Sequence, residues 1–146
     1  QMAVFASQVK VEGKPLSEMG LSAERMAEIK QNTIQGGSAI IKLRGRSSFQ
    51  SPAYNAVKMI EAAMGGAPFT LPAGTYVNNE KYQNVMMAMP TTIDATGCHY
   101  VMPQGTAEEL AALDASYAHL CKMRDEIVAL GIVPAVADWK KDNANL

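Results

Sequence analysis

The densest group of chemically capable side chains is the run Arg44-Gly45-Arg46-Ser47-Ser48-Phe49-Gln50-Ser51-Pro52. Its guanidiniums can hold a carboxylate through two parallel N–H donors. Its serine hydroxyls donate and accept hydrogen bonds. A helix beginning at the end of this run would also turn free N–H groups toward an anion. The run therefore reads as an anion-binding connection. It reads equally as an ordinary helix–helix connection rich in capping residues, and residue types alone do not choose.

Other reactive residues offer less. Cys98 and His99 are neighbours in a predicted strand, where adjacent side chains point to opposite faces, which opposes joint metal ligation. His99 is expected as a partly exposed strand histidine. His119 falls off the apolar stripe of the last predicted helix and is expected in solvent. Met86, Met87 and Met89 are expected as adaptable core filling, not a soft-metal site. The run Lys122, Arg124, Asp125 and Glu126 is expected as a solvated helix face. The double glycines at 36–37 and 65–66 lack the G-x-G-x-x-G spacing that follows a strand in dinucleotide-binding folds. No metal site and no complete catalytic constellation is read from the residues.

The elements that would position the Arg44–Pro52 run are two helices. Ser22 is a natural N-cap, with Glu24 in the first turn near the positive end of the helix dipole. Met26, Ile29, Thr33, Gly37 and Ile40 recur at spacings of three and four, predicting one continuous helix to Arg44, with Gly45 as its left-handed stop. Gly36-Gly37 inside it is expected to let another backbone come close. Ser51 is expected to cap the next helix with Pro52 in its first position. Ala53, Ala56, Val57, Ile60 and Met64 line one face before Gly65-Gly66.

Around these helices the pattern changes period. Residues 2–11 alternate imperfectly and predict a strand, broken by Gly13-Lys14-Pro15. Phe69-Thr70-Leu71 and Tyr76-Val77, either side of Pro72-Ala73-Gly74, read as strand and turn. Asn78-Asn79-Glu80-Lys81 reads as a turn. Val85–Met89 reads as a strand buried on both faces, and His99-Tyr100-Val101 as a third strand, forming an antiparallel meander. Thr106 and Glu109 make a capping box for a last helix carrying Leu110, Leu113, Tyr117, Leu120 and Ile127, ended by Gly131. The tail, 132–146, is mildly apolar and then polar.

The 146 residues suffice for one domain, with a formal net charge of −1, 48% apolar residues and 18% charged ones. That balance argues against a duplex nucleic-acid binder or a polybasic membrane-surface protein. No apolar run approaches the roughly 18 residues of a membrane span. Two distant cysteines predict no disulfide framework and a reducing, cytoplasmic setting. The start, Gln1-Met2-Ala3-Val4-Phe5, reads like a chain opened in its middle.

Gly36 to Ala53 resembles a segment of the lactate/malate dehydrogenases that reads approximately GGAEIVKLKG, then Ser or Thr, then Ser or Ala, then a helix start containing Pro or Gly. Leu71-Pro72-Ala73-Gly74-Thr75-Tyr76 looks like that family's LPCGAYL strand. The order of elements also matches its carboxyl-terminal substrate domain over nearly the whole chain. The resemblance implies an α+β fold, a twisted antiparallel sheet packed by long helices, with residues 1–146 forming the substrate domain. It implies hydride transfer between NAD and a 2-hydroxy acid, in which a histidine takes the hydroxyl proton and arginines fix the carboxylates. It places that histidine just upstream of Gln1, so no catalytic residue is expected within the chain. NAD would be held mainly by an N-terminal domain absent from it. Ser47 matches the Thr or Ser whose hydroxyl faces the substrate, and Ser48 is its neighbour. Ser51 and Pro52 match positions bordering the nicotinamide. Arg46 departs from the small or aromatic residue common at its position and receives no role, and Gln1 and Met2 also differ from the commoner small residues.

The run from Arg46 to Pro52 is closer to the malate branch than to the lactate branch. That implies a small dicarboxylic acid substrate, a place in the tricarboxylic acid cycle and a homo-oligomer, dimer or tetramer. Three competing readings remain open at this stage. One is a lactate dehydrogenase domain. Another is an NAD-dependent glycosidase, which the placement of Cys98 and His99 does not favour. The third is a non-enzymatic α+β dimerisation module built on helix 22–44.

Overall fold

The computed structural model describes residues 2–143. The chain is a mixed α+β domain in which a three-stranded antiparallel sheet, in the order β3-β4-β5, lies against long helices. These strands are β3 Phe69–Val77, β4 Val85–Asp94 and β5 Gly97–Tyr100. The helices are α1 Ala23–Arg44, α2 Gln50–Ala63, α3 Ala107–Ala129 and the short α4 Trp139–Asp142.

The predicted strand over 2–11 is not formed. Residues 2–5 are irregular, Ala6–Gln8 make a 3₁₀ turn, and only Lys10–Val11 (β1) pairs, with Lys14–Pro15 (β2), as a two-residue hairpin. The imperfect alternation gave no continuous face to bury, and Glu12 at φ 50° with Gly13 at φ 82° closes the hairpin.

In contrast, Pro72-Ala73-Gly74 does not interrupt β3. The strand runs through it, with Pro72 opposite Pro90 and Ala73 opposite Met89. Pro72 sits on an edge strand. Pro90 stands one residue past the last β4–β5 pair, so neither missing N–H breaks a ladder contact that the sheet needs. The Pro90 carbonyl still accepts from the Val101 N–H at 3.0 Å.

Strand β4 is buried on one face, not two: Val85, Met87, Met89 and Thr91 are buried while Met86 is 60% exposed. An antiparallel strand with one face on the core alternates in this way. Val77, Tyr82, Val85, Met87, Met89 and Leu113 form the core, with Phe5, Tyr100, Tyr117 and Leu120 against it. Burial of each such side chain contributes about 1.5–3 kcal/mol. Two of the three neighbouring methionines thus fill the core, as expected, and the third faces outward.

The loop between β3 and β4 is held onto α3. Tyr82 donates to Asp114 Oδ1 at 2.6 Å, and Lys81 Nζ lies 2.7 Å from the same oxygen. The Tyr82 and Tyr117 rings meet at 5.0 Å. Arg124 Nη1 donates to the Asn84 and Gln83 carbonyls at 2.9 and 3.2 Å. Arg124 is therefore an anchor and not part of a purely solvated face; Lys122, Asp125 and Glu126 are exposed.

Candidate functional site

The Arg44–Pro52 run joins the end of α1 to the start of α2. Ser22 caps α1 by accepting from the Arg25 N–H at 3.2 Å, and the helix passes unbroken through Gly36-Gly37. A Cβ placed at either glycine meets nothing within 4 Å, so the expected close backbone approach is absent among the described residues. Gly45 ends the helix in the left-handed region at φ 69°, its N–H bonded to the Ile41 carbonyl at 2.8 Å.

The start of α2 differs from expectation. Its first residue is Gln50 and its N-cap is Phe49, without a side-chain cap. Ser51 and Pro52 therefore lie inside the first turn, where Pro is still tolerated because the first-turn N–H groups have no partner within the helix. Both are exposed. Ser47 lies exposed on the bend before the helix, and Ser48 beside it is half-buried. The four candidate residues are thus gathered at one helix–helix junction. Above it, the Arg46 and Arg44 guanidiniums approach the Phe49 ring at 5.0 and 5.9 Å, and Arg44 Nη1 donates to Gln50 Oε1 at 3.2 Å.

The remaining candidates fall elsewhere. Cys98 is exposed on β5, its sulfur 3.5 Å from Thr75 Oγ1. His99 Nε2 lies 2.8 Å from Thr96 Oγ1 and 3.7 Å from Asp94 Oδ1 in the β4–β5 hairpin, so the two neighbours have separate surroundings. Hydrogen bonds from Thr96, first through its hydroxyl, hold the Asp94 carboxyl below its ordinary range. His119 is exposed on α3. Among the described residues no group of three or more His, Cys, Asp or Glu is placed to hold a metal ion. No described helix is long and apolar enough to cross a membrane.

Two features escaped the residue-by-residue reading. A large open cleft of about 1120 Å³ lies among residues 2–9, the sheet and Thr33 of α1, with Phe5, Met86 and Met89 in its lining; it does not include Ser47, Ser48, Ser51 or Pro52. The second is Glu109. Besides completing the capping box with Thr106, it accepts from the Ser7 N–H at 2.9 Å and the Ser7 hydroxyl at 2.5 Å. The capping box signalled the first contact; nothing local signalled one 102 residues away.

With this geometry in view, comparison with known proteins is decisive for the family. Residues 1–130 match the model of the lactate/malate dehydrogenase alpha/beta C-terminal domain. The chain belongs to this family. A malate dehydrogenase of Desulforudis audaxviator is 32% identical over 99 residues, covering 66% of this chain and 32% of its own length. One from Pelagibacter ubique is 37% identical over 94 residues, covering 60% of this chain and 29% of its own. The chain thus spans about a third of the length of these curated relatives. Among solved structures, the malate dehydrogenase of Salinibacter ruber superposes with a TM-score of 0.74 at 27% identity, over 83% of this chain and 40% of that one. The malate dehydrogenase of Plasmodium falciparum in complex with NADH gives 0.74 at 28% identity, over 86% and 43%. The expected resemblance and the α+β fold are both established.

Proposed function

We propose that this domain is the substrate-binding wall of an NAD-dependent malate dehydrogenase, which interconverts malate and oxaloacetate. The match of residues 1–130 to the lactate/malate dehydrogenase C-terminal domain carries this reading, and relatives named malate dehydrogenase support malate over lactate. One of the similar structures holds NADH, which supports a nicotinamide coenzyme.

In this reading Ser47 and Ser48 bind the substrate, with the Ser47 hydroxyl facing it, and Ser51 with Pro52 borders the nicotinamide. These residues fit a contribution to the edge of a coenzyme site, because Ser51 and Pro52 are exposed in the first turn of α2. When bound, NAD accepts or returns the hydride at the carbon bearing the hydroxyl. What this domain's residues do is orient the acid: a hydroxyl at a helix–helix junction, fixed by α1 and α2, sets the substrate against the hydride path. The proton-accepting histidine and most of the coenzyme grip are assigned to the part of the protein preceding Gln1.

Exposed apolar residues on α1 support self-association: Ile34, Ile40 and Ile41 are 39–45% exposed and Leu43 is 88% exposed. A homo-oligomer in the cytoplasm fits this surface and the unpaired cysteines. The test is Ser47→Ala in the intact protein. Loss of one hydroxyl contact should lower kcat/KM for oxaloacetate about fivefold, equivalent to about 1 kcal/mol. Unchanged kinetics would remove Ser47 from the site.

A further inference from the structure

We propose that Glu109 is a positioning residue for the reaction: by holding Ser7 it fixes the course of residues 2–8, and with it the placement of the proton-accepting histidine assigned above to the part of the protein preceding Gln1. This rests on the function proposed above and adds to it a residue of α3 that acts through the chain and not on the substrate.

The first observation is how the segment is held. Residues 2–5 belong to no helix or strand. The backbone hydrogen bonds of the next residues stay local: the Gln8 N–H donates to the Phe5 carbonyl at 3.2 Å, the Val9 N–H to the Ala6 carbonyl at 3.2 Å, and the Leu16 N–H to the Val9 carbonyl at 2.9 Å. Met2, Ala3, Val4 and Phe5 line the open cleft of about 1120 Å³, so one side of the segment borders a cleft and not a packed layer. A strand in a sheet is fixed by every rung of its ladder. This segment is fixed at points, and each point carries more of its placement.

The second observation is where those points lie. The Phe5 ring packs against the core and beside Gly105, where an added Cβ would stand 2.7 Å from it. Two residues on, Ser7 donates through its N–H to Glu109 Oε1 at 2.9 Å and through its hydroxyl to Oε2 at 2.5 Å. Glu109 Oε2 also accepts from the Thr106 N–H at 2.9 Å. Glu109 itself is buried, whereas Ser7 is exposed. The capping box needs only one oxygen of this carboxylate, and the other is turned to a segment 102 residues away. A carboxylate that receives several charge-assisted bonds is held in one orientation and holds its donors in return. A histidine just before Gln1 is a short length of chain from this tie. Proton transfer needs its ring within hydrogen-bond reach of the substrate oxygen, so the tie sets the geometry of the chemical step.

The test is oxaloacetate reduction by the intact protein, comparing wild type, Ser7→Ala, Ser7→Thr and Glu109→Gln well below their melting temperatures. Each is run with ordinary NADH and with NADH carrying deuterium at the transferred position. Ser7→Ala leaves the capping box whole, and Glu109→Gln keeps a side chain able to cap while losing one acceptor oxygen. We expect kcat to fall about fivefold in Ser7→Ala, which keeps the N–H bond, and about tenfold in Glu109→Gln, with the KM for NADH within about twofold of wild type. The deuterium isotope effect on kcat should rise in both, because the chemical step becomes rate-limiting. Ser7→Thr retains the hydroxyl and should recover most of kcat. A tie that serves stability alone would lower Tm in Ser7→Ala and Glu109→Gln but leave kcat and the isotope effect at wild-type values. That result overturns the proposal, as does a loss in kcat that Ser7→Thr fails to recover. Failure of the wild-type protein to reduce oxaloacetate sinks the dehydrogenase reading itself. Wild-type activity with indifferent Ser7 and Glu109 variants sinks only the positioning role.

Discussion

Glu109 is 7% exposed, and hydrogen bonds converge on it from the Ser7 N–H and hydroxyl and the Thr106 N–H. Burial pushes its carboxyl upward, but the bonds donated by Ser7 and Thr106 outweigh it and hold the pKa below the ordinary 4.5. A depressed carboxyl stabilises the fold fully above its unfolded-state pKa and loses that contribution as pH falls through the folded-state value. Denaturant midpoints at pH 7 and pH 3 should therefore differ more in the wild type than in Glu109→Gln, and equal differences would deny the coupling. Glu109→Ala should cost about 2 kcal/mol, since it removes both a cap and the tie to Ser7. A fall in Tm of about 4–8 °C would register it. Half of this residue's role was legible: T-x-x-E spacing announces a capping box, whereas a partner 102 positions away leaves no local mark. Arg124 teaches the same lesson, because its carbonyl partners lie 40 and 41 residues away and no short-range pattern encodes them.

At the scale of elements, the three long helices and the order of the three main strands were readable, since period and caps are local signals, whereas the short α4 in the tail was not. Ser22, Gly45, Thr106 and Gly131 mark their helix ends as expected. The misreadings have tertiary causes. Proline usually ends a strand, but Pro72 and Pro90 face each other where no ladder donor is required. Ser51-Pro52 has ideal capping chemistry, yet α2 starts two residues earlier, at Gln50 instead of Pro52. Residues 2–8 take their course from packing: Phe5 lies against the core, and Gly105, just before α3, approaches it. A Cβ at Gly105 would stand 2.7 Å from the Phe5 ring and 2.7 Å from Glu109 Oε2. Gly105→Ala should accordingly destabilise the domain by about 1–3 kcal/mol. The cost should shrink when Phe5→Ala is also present, a coupling that a double-mutant cycle by thermal melting measures. Additive losses would mean that the ring yields freely.

At the scale of the molecule, the sheet and α3 share one core, while α1 has no fully buried residue. Leu43 and Met64 are more than 80% exposed, and Tyr54, Val57 and Ile60 on α2 are more than half exposed. Surfaces of this kind are a general mark of interaction or ligand-binding sites, and the chain covers about a third of the length of its curated relatives. The fold class and the family were legible because the helix–connection–helix run carries a specific residue pattern. The candidate site was legible only as a location: the residue types place Ser47, Ser48, Ser51 and Pro52 at one helix–helix junction, while their roles leave no local mark. We propose that this domain shapes the substrate pocket and needs a coenzyme-holding half to work. The most direct measurement of this is NADH oxidation by oxaloacetate, followed optically, with the intact protein and with rigorously purified residues 1–146. The account predicts turnover by the intact protein and none by the 146-residue chain; turnover by that chain alone would contradict it.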